Sequence, residues 1–98
     1  MVHNACKKPN PLDGTTYEEK VIRQMQPNVK TGKPDYHGFP DIVDNYAANG
    51  IQKTIVGGDG IARTKIELEG VYGGKLGKFE WIIENNKKIN HRLFVPNK

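Results

Sequence analysis

Three histidines, one cysteine and a spaced set of lysines and arginines are the side chains of this 98-residue chain best suited to chemistry. An imidazole gives and takes protons near neutral pH, so His37 and His91 are the acid/base candidates. His3, His37 and His91 are scattered, and no HExxH run or cysteine pair accompanies them, which argues against a metal site. Cys6 stands alone, so an internal disulfide is excluded, and a Cys–His nucleophilic enzyme would have to draw its nucleophile from a leader segment. Arg63, Lys65 and Arg92 are the cations placed near His91 in the strand-forming half. Lys53, Lys75 and Lys78 add further positive charge there. Residues 1–50 carry six Lys/Arg against six Asp/Glu, whereas residues 51–98 carry nine against five. The whole net charge of +4 therefore belongs to the second half, and an anionic partner should be met there. Gly57-Gly58-Asp59-Gly60 could cradle a phosphate with backbone N–H groups, but a tight hairpin turn explains it more simply. No Gly-Lys-Ser/Thr and no helix follow it, so it is not a nucleotide-binding loop.

The elements that must position these residues can be read in order. Residues 1–14, with Pro9, Pro11 and Gly14, have no periodicity and are expected to be a leader or linker ahead of a single domain over residues 15–98. Thr16 and Glu19 form a capping-box pattern, and Tyr17, Val21 and Met25 share one helical face until Pro27. Residues 28–38 read as a loop. A second short helix is expected from Pro40, with Phe39, Val43, Tyr46 and Ala47 as its apolar stripe and Asn49-Gly50 as its stop. From Ile51 the period becomes that of strands: Ile51–Val56, Ile61–Leu68, Lys78–Glu84 and Ile89–Val95, with glycine-rich turns between them. Lys75, beside Gly73 and Gly74, reads as part of a mobile loop. The expected architecture is an α+β domain, two short helices packed on a twisted four-stranded antiparallel sheet. Alternation puts Arg63 and Lys65 on one face. Trp81 shares a face with Phe79 and Ile83 and is assigned to the core. A two-residue turn at Asn86-Lys87 would set Ile82 opposite His91 and Trp81 opposite Arg92. A three-residue loop at Asn86–Lys88 would set Ile83 opposite His91, exchanging the faces of His91 and Arg92. The residues alone leave both registers open. No apolar run is long enough to span a membrane.

Val2-His3-Asn4-Ala5-Cys6 resembles the tail of Hint (hedgehog/intein) autoprocessing domains, which end in a His-Asn pair. The Asn amide attacks its own carbonyl and the His assists by proton donation. Ala5 stands where a splicing intein would carry its nucleophile, so cleavage without splicing is expected, with His3 and Asn4 as the processing residues. In bacterial polymorphic toxins such a tail separates a long Rhs-type or wall-associated delivery protein from its C-terminal toxin. On that resemblance the leader is a processing scar and Met1 is an artificial start.

A second resemblance covers roughly Tyr36 to Asn97. Tyr36-His37-Gly38-Phe39-Pro40, Gly57-Gly58-Asp59-Gly60 with Arg63, and Asn90-His91-Arg92-Leu93-Phe94 look like a family of such C-terminal toxin domains. The order of elements is similar to the barnase–EndoU–colicin–RelE group of ribonuclease toxins. This likeness implies metal-independent RNA cleavage without a cofactor, with tRNA the first substrate to consider. It also implies a cognate immunity protein as partner, a monomeric toxin domain, secretion or surface delivery within a larger bacterial protein, and action in the target-cell cytoplasm. Such cleavage needs a base for the 2′-OH, an acid for the leaving 5′ oxygen and cations for the transition-state charge. His91 is the first acid/base candidate and His37 the second. Arg63, Lys65 and Arg92 are the phosphate contacts, Glu67 a further polar candidate, and Lys75, Lys78, Lys53 and Tyr72 the RNA-binding residues. Two other classes fit the same residues: a nucleic-acid- or protein-binding module without catalysis, and a toxin of other chemistry such as a DNase.

Overall fold

Alternating apolar and charged side chains in the second half of the chain give a sheet with one dry face and one wet face. The structure, a computed structural model, describes residues 9–27 and 35–97. His3, Asn4 and Cys6, and with them the expected processing site, lie outside the described residues. In chain order the elements are β1 (Thr16–Tyr17), α1 (Glu19–Gln24), a 3-10 helix (Asp41–Asn49), β2 (Ile51–Val56), β3 (Ala62–Tyr72), β4 (Lys75–Ile83) and β5 (Lys88–Pro96). They build one five-stranded sheet in the order β1-β5-β4-β3-β2. The four long strands are an antiparallel meander, and β1 joins β5 in parallel.

The expected two helices on a four-stranded antiparallel sheet are therefore corrected to one short helix, one 3-10 helix and five strands. Thr16 does not cap a helix. Its N–H donates to the Lys87 carbonyl at 3.1 Å and that of Glu18 to the Ile89 carbonyl at 3.0 Å, which draws the segment onto the sheet edge. The helix starts after Glu18, whose side chain makes no capping bond. The second helix is a 3-10 helix along its whole length. Its sequence, with four Asp/Asn and β-branched Ile42 and Val43, has weak α-helical propensity. Packing also reaches back before Thr15, because Leu12 is buried in the core and the Asn10 side-chain amide donates to the Asp44 carbonyl at 2.9 Å.

Two turns depart from the expected strand limits. Gly73 and Gly74 both take positive φ, at 62° and 78°, so β3 and β4 are joined by a two-residue turn that pairs Tyr72 directly with Lys75. The stretch expected as a mobile loop is the tip of a long hairpin. Between β4 and β5, the Glu84 N–H donates to the Lys88 carbonyl at 2.8 Å and the loop is Asn85–Lys87, with Lys87 at φ 67°. A register shift then follows: Ile83 pairs with Ile89, but Ile82 pairs with His91 and Trp81 with Arg92. Asn90 is the extra residue of a β-bulge. The loop matches neither expected turn, yet the bulge restores the register in which His91 faces out and Arg92 faces in.

The inner face holds the core: Ile66, Phe79, Trp81, Ile89 and Phe94, closed by Phe39, Ala47 and Leu12. Its aromatic rings meet edge to face or tilted, Phe39 on Phe79 at 4.7 Å and Phe79 on Phe94 at 4.9 Å between centroids. Arg92 is part of this core, with 0% of its surface exposed. Its guanidinium lies 3.6 Å from the centroid of the Phe39 ring, donates to the Phe39 and His37 carbonyls at 2.9 and 3.1 Å, and reaches Asp44 Oδ1 at 3.0 Å. Asp44 also accepts from Trp81 Nε1 at 3.1 Å and from the Tyr17 hydroxyl. The ion pair thus ties β1, the 3-10 helix, β4 and β5 together. Burial pushes the Asp44 carboxyl up and the Arg92 guanidinium down, and each group's charge opposes the shift of the other.

Candidate functional site

Because side chains alternate, the strands that bury Ile66, Trp81 and Phe94 must present their other residues on the outer face. The register arranges those residues in rows across the sheet. One row runs Lys53, Lys65, Ile82, His91; the next runs Ile51, Glu67, Glu80, Leu93. Cations of the first row sit diagonal to carboxylates of the second. Glu80 occupies the centre: Oε1 lies 3.2 Å from His91 Nε2 and Oε2 lies 3.5 Å from Lys65 Nζ. Glu67 takes Lys53 at 2.9 Å and Lys65 at 3.3 Å, with Lys78 at 3.9 Å. The hydrogen bond from Lys53 is the largest effect on the Glu67 carboxyl and, with help from Lys65, holds it below the usual carboxylate range against desolvation.

Arg63 stands at one end of this face. Its guanidinium pairs with Asp59 at 2.7 Å and with Glu84 at 2.8 Å. Glu84 in turn accepts from the Asn90 amide at the bulge. The hydrogen bond from Arg63 is the main reason the Asp59 carboxyl is held down to about 2, and the two carboxylates raise the Arg63 guanidinium. Asp59 also accepts from the Ile61 N–H at 3.0 Å, so the Gly57–Gly60 turn serves to aim a carboxylate at Arg63.

Of the sequence candidates, His91, Arg63, Lys65, Glu67, Lys53 and Lys78 are brought to one face. The others are not. Arg92 is inside the core, on the opposite side of the sheet. His37 lies in the loop whose carbonyl receives Arg92, and its Nδ1 is 3.1 Å from Asp35. Tyr72 packs on the inner side, edge to face with Tyr36 and Phe94, and its hydroxyl faces the Asp35 carbonyl at 3.4 Å. Lys75, paired with Tyr72, is at the hairpin tip. The central residue that sequence reasoning missed is Glu80. Alternation against Phe79 and Trp81 already put it outside, but only the bulge at Asn90 brings His91 within reach of it.

The face is not the cationic patch expected from composition. Lys53, Arg63, Lys65 and Lys78 each have a carboxylate within hydrogen-bonding or ion-pair distance. Lys75, Lys87 and Lys88, which have no carboxylate partner among the described residues, are at the hairpin ends. What the outer face offers is a proton donor and acceptor in contact, His91 and Glu80, with an ammonium beside them. His91 keeps 31% of its side chain exposed, so an incoming ligand can reach the pair. Among the described residues no group of three or more His, Cys, Asp or Glu could hold a metal ion. Compared with family models, with curated proteins and with solved structures, the chain finds no match in any of the three.

Proposed function

We propose that this domain is a bacterial ribonuclease toxin, cutting RNA by metal-independent transfer of the phosphodiester to the 2′ oxygen. One observation carries the reading: His91 and Glu80 are in direct contact on an exposed sheet face, with Lys65 against the same carboxylate. In this scheme the Glu80 carboxylate takes the 2′-OH proton, the 2′ oxygen bonds to phosphorus, and the bond to the 5′ oxygen breaks. The His91 imidazolium protonates that leaving oxygen. Lys65 and Arg63 turn from their carboxylates toward the non-bridging oxygens, where charge develops. The contact between Glu80 and His91 lets the proton gained by one return to the other after turnover. The resemblance of residues 36–97 to polymorphic toxin domains supplies the rest of the proposal. The toxin is carried by a larger secreted or surface-delivered bacterial protein, released after Asn4, active on tRNA in the target-cell cytoplasm, and neutralised by a cognate immunity protein.

Purified tRNA incubated with the domain in EDTA tests this. Cleavage leaving 2′,3′-cyclic phosphate ends is expected. His91→Ala and Glu80→Gln should each slow it by roughly 10²–10⁴-fold with unchanged circular dichroism. The paired state of every cation on the face favours a second reading, a binding module without catalysis. Intact RNA in a salt-sensitive complex would support that module instead. Metal-dependent loss of DNA would point to a nuclease of another kind.

A further inference from the structure

The sheet has two edges, and they are treated differently. At one, β5 is covered by β1 and, further along, by the loop whose Tyr36 carbonyl accepts from the Phe94 N–H at 2.9 Å. At the other, β2 pairs, among the described residues, with β3 alone, and all of its residues except Ile55 are exposed. Natural edges are blunted by proline, bulges, shortness or charge. Strand β2 is six residues, Ile-Gln-Lys-Thr-Ile-Val, paired with β3 in an unbroken register. Its one charge, Lys53, is engaged by Glu67 on the outer face.

The free main-chain groups can be assigned. The Gly57 N–H donates to the Ile61 carbonyl at 3.2 Å, which makes that pair a hydrogen-bonded one. Antiparallel pairs alternate, so Ile51, Lys53 and Ile55 bond toward β3, and Gln52, Thr54 and Val56 direct N–H and C=O to the open edge. We infer that this edge pairs with β2 of a second copy of the chain, antiparallel about a two-fold axis through Thr54.

Three features select that occupant and register. A two-fold axis normal to the sheet keeps like faces together, so partners must come from the same face of β2. Centring on Thr54 sets Thr54 against Thr54, Gln52 against Val56, and Lys53 against Ile55, all favourable or neutral pairs. Centring on Lys53 would oppose two ammonium groups, and centring on Ile55 would run the strand past its end into Gly57 and Gly58. Finally, with β5 covered and β1 only two residues long, β2 is the one long open edge among the described residues. The assembly therefore closes at two and does not propagate. In the ten-stranded sheet that results, both outer faces point the same way. The two His91 residues then lie seven strand spacings apart, about 34 Å.

Sedimentation velocity on the full chain, from micromolar to millimolar concentration, tests the inference. A reversible monomer–dimer equilibrium is expected. Thr54→Lys and Thr54→Glu should each weaken it at least tenfold, and an equimolar mixture of the two variants should restore pairing, because the residue on the axis meets itself. Thr54→Pro deletes only an edge-facing N–H and should also weaken the dimer at unchanged circular dichroism. In the unaltered chain, hydrogen exchange at the Thr54 amide should slow as concentration rises, which reads the interface even where a variant folds poorly. A monomer at every concentration overturns the inference and leaves the edge to a strand from another protein. Association indifferent to both Thr54 charges, or growth beyond two, overturns it as well.

Discussion

Arg92→Ala is the most informative single perturbation of this fold. The substitution removes the ion pair to Asp44, the donations to the Phe39, His37 and Pro40 carbonyls, and the cation over the Phe39 ring. It leaves Asp44, whose side chain is only 17% exposed, with Trp81 and Tyr17 as donors but no countercharge. Breaking a buried pair from one side costs about 3–5 kcal/mol. A chain of this length has about 5–15 kcal/mol in all. At roughly 4–8 °C per kcal/mol for a domain of this size, the melting temperature should fall by about 12 °C at the least. Calorimetry and urea unfolding measure this directly. Adding Asp44→Asn should recover part of the loss, since it removes the stranded charge. The pH dependence has a definite sign. Burial raises the Asp44 carboxyl above its ordinary value of 3.8, so the folded state binds the proton more tightly than the unfolded state does. Asp44 alone therefore makes stability fall as pH climbs from 3.8 through its raised value. Replacing Arg92 removes the charge that opposes this rise and should make the fall steeper. An Arg92→Ala protein that melts within about 5 °C of the parent would refute the structural role assigned to the guanidinium.

Three further outcomes are expected. Gly77→Ala should destabilise by about 1–3 kcal/mol, because its Cβ would strike the Val95 carbonyl and lie 2.7 Å from the Phe94 ring and from Pro96 Cα. Gly58→Ala, with nothing within 4 Å of its Cβ, is the neutral control in the same unfolding assay. Lys87 holds φ at 67° in the β4–β5 loop, so Lys87→Gly should stabilise by about 1 kcal/mol in chemical denaturation, and a loss of stability there would count against the strain. Asp59 should titrate near 2 by carboxyl carbon NMR and rise toward the ordinary range in Arg63→Gln, with the Ile61 N–H still holding it partly down. Since its folded value is depressed below 3.8, its contribution to stability is complete above that pH and is lost as pH falls through about 2.

The strands were legible because each carries its own alternation: Phe79 and Trp81 against Lys78 and Glu80 mark an inner and an outer face without any tertiary information. The shared face of Arg63 and Lys65 followed from the same rule. What was hidden depends on residues distant in the chain. Thr16 and Tyr17 look like the start of a helix until Lys87 and Ile89 offer backbone partners. The bulge at Asn90 has no local signature, and without it the sides taken by His91 and Arg92 are undetermined. An arginine in a basic half reads as a surface cation. Its burial depends on Asp44, which is 48 residues away in the chain. The same applies to the neutrality of the outer face: composition shows an excess of lysine, while the register alone shows which lysines meet carboxylates.

The order of strands in the sheet has a kinetic consequence. From β2 to β5 each strand pairs with its neighbour in the chain, so the meander can zip through short loops with little closure entropy. The pairing of Thr16 with Lys88 spans most of the chain and must wait until β5 is in place. The amino-terminal strand is thus the last piece to dock and the first to leave. Amide exchange at Thr16 and Glu18 should report its openings well below the free energy of global unfolding. A chain drawn by its amino terminus through a narrow passage would give up this strand first and the meander after it.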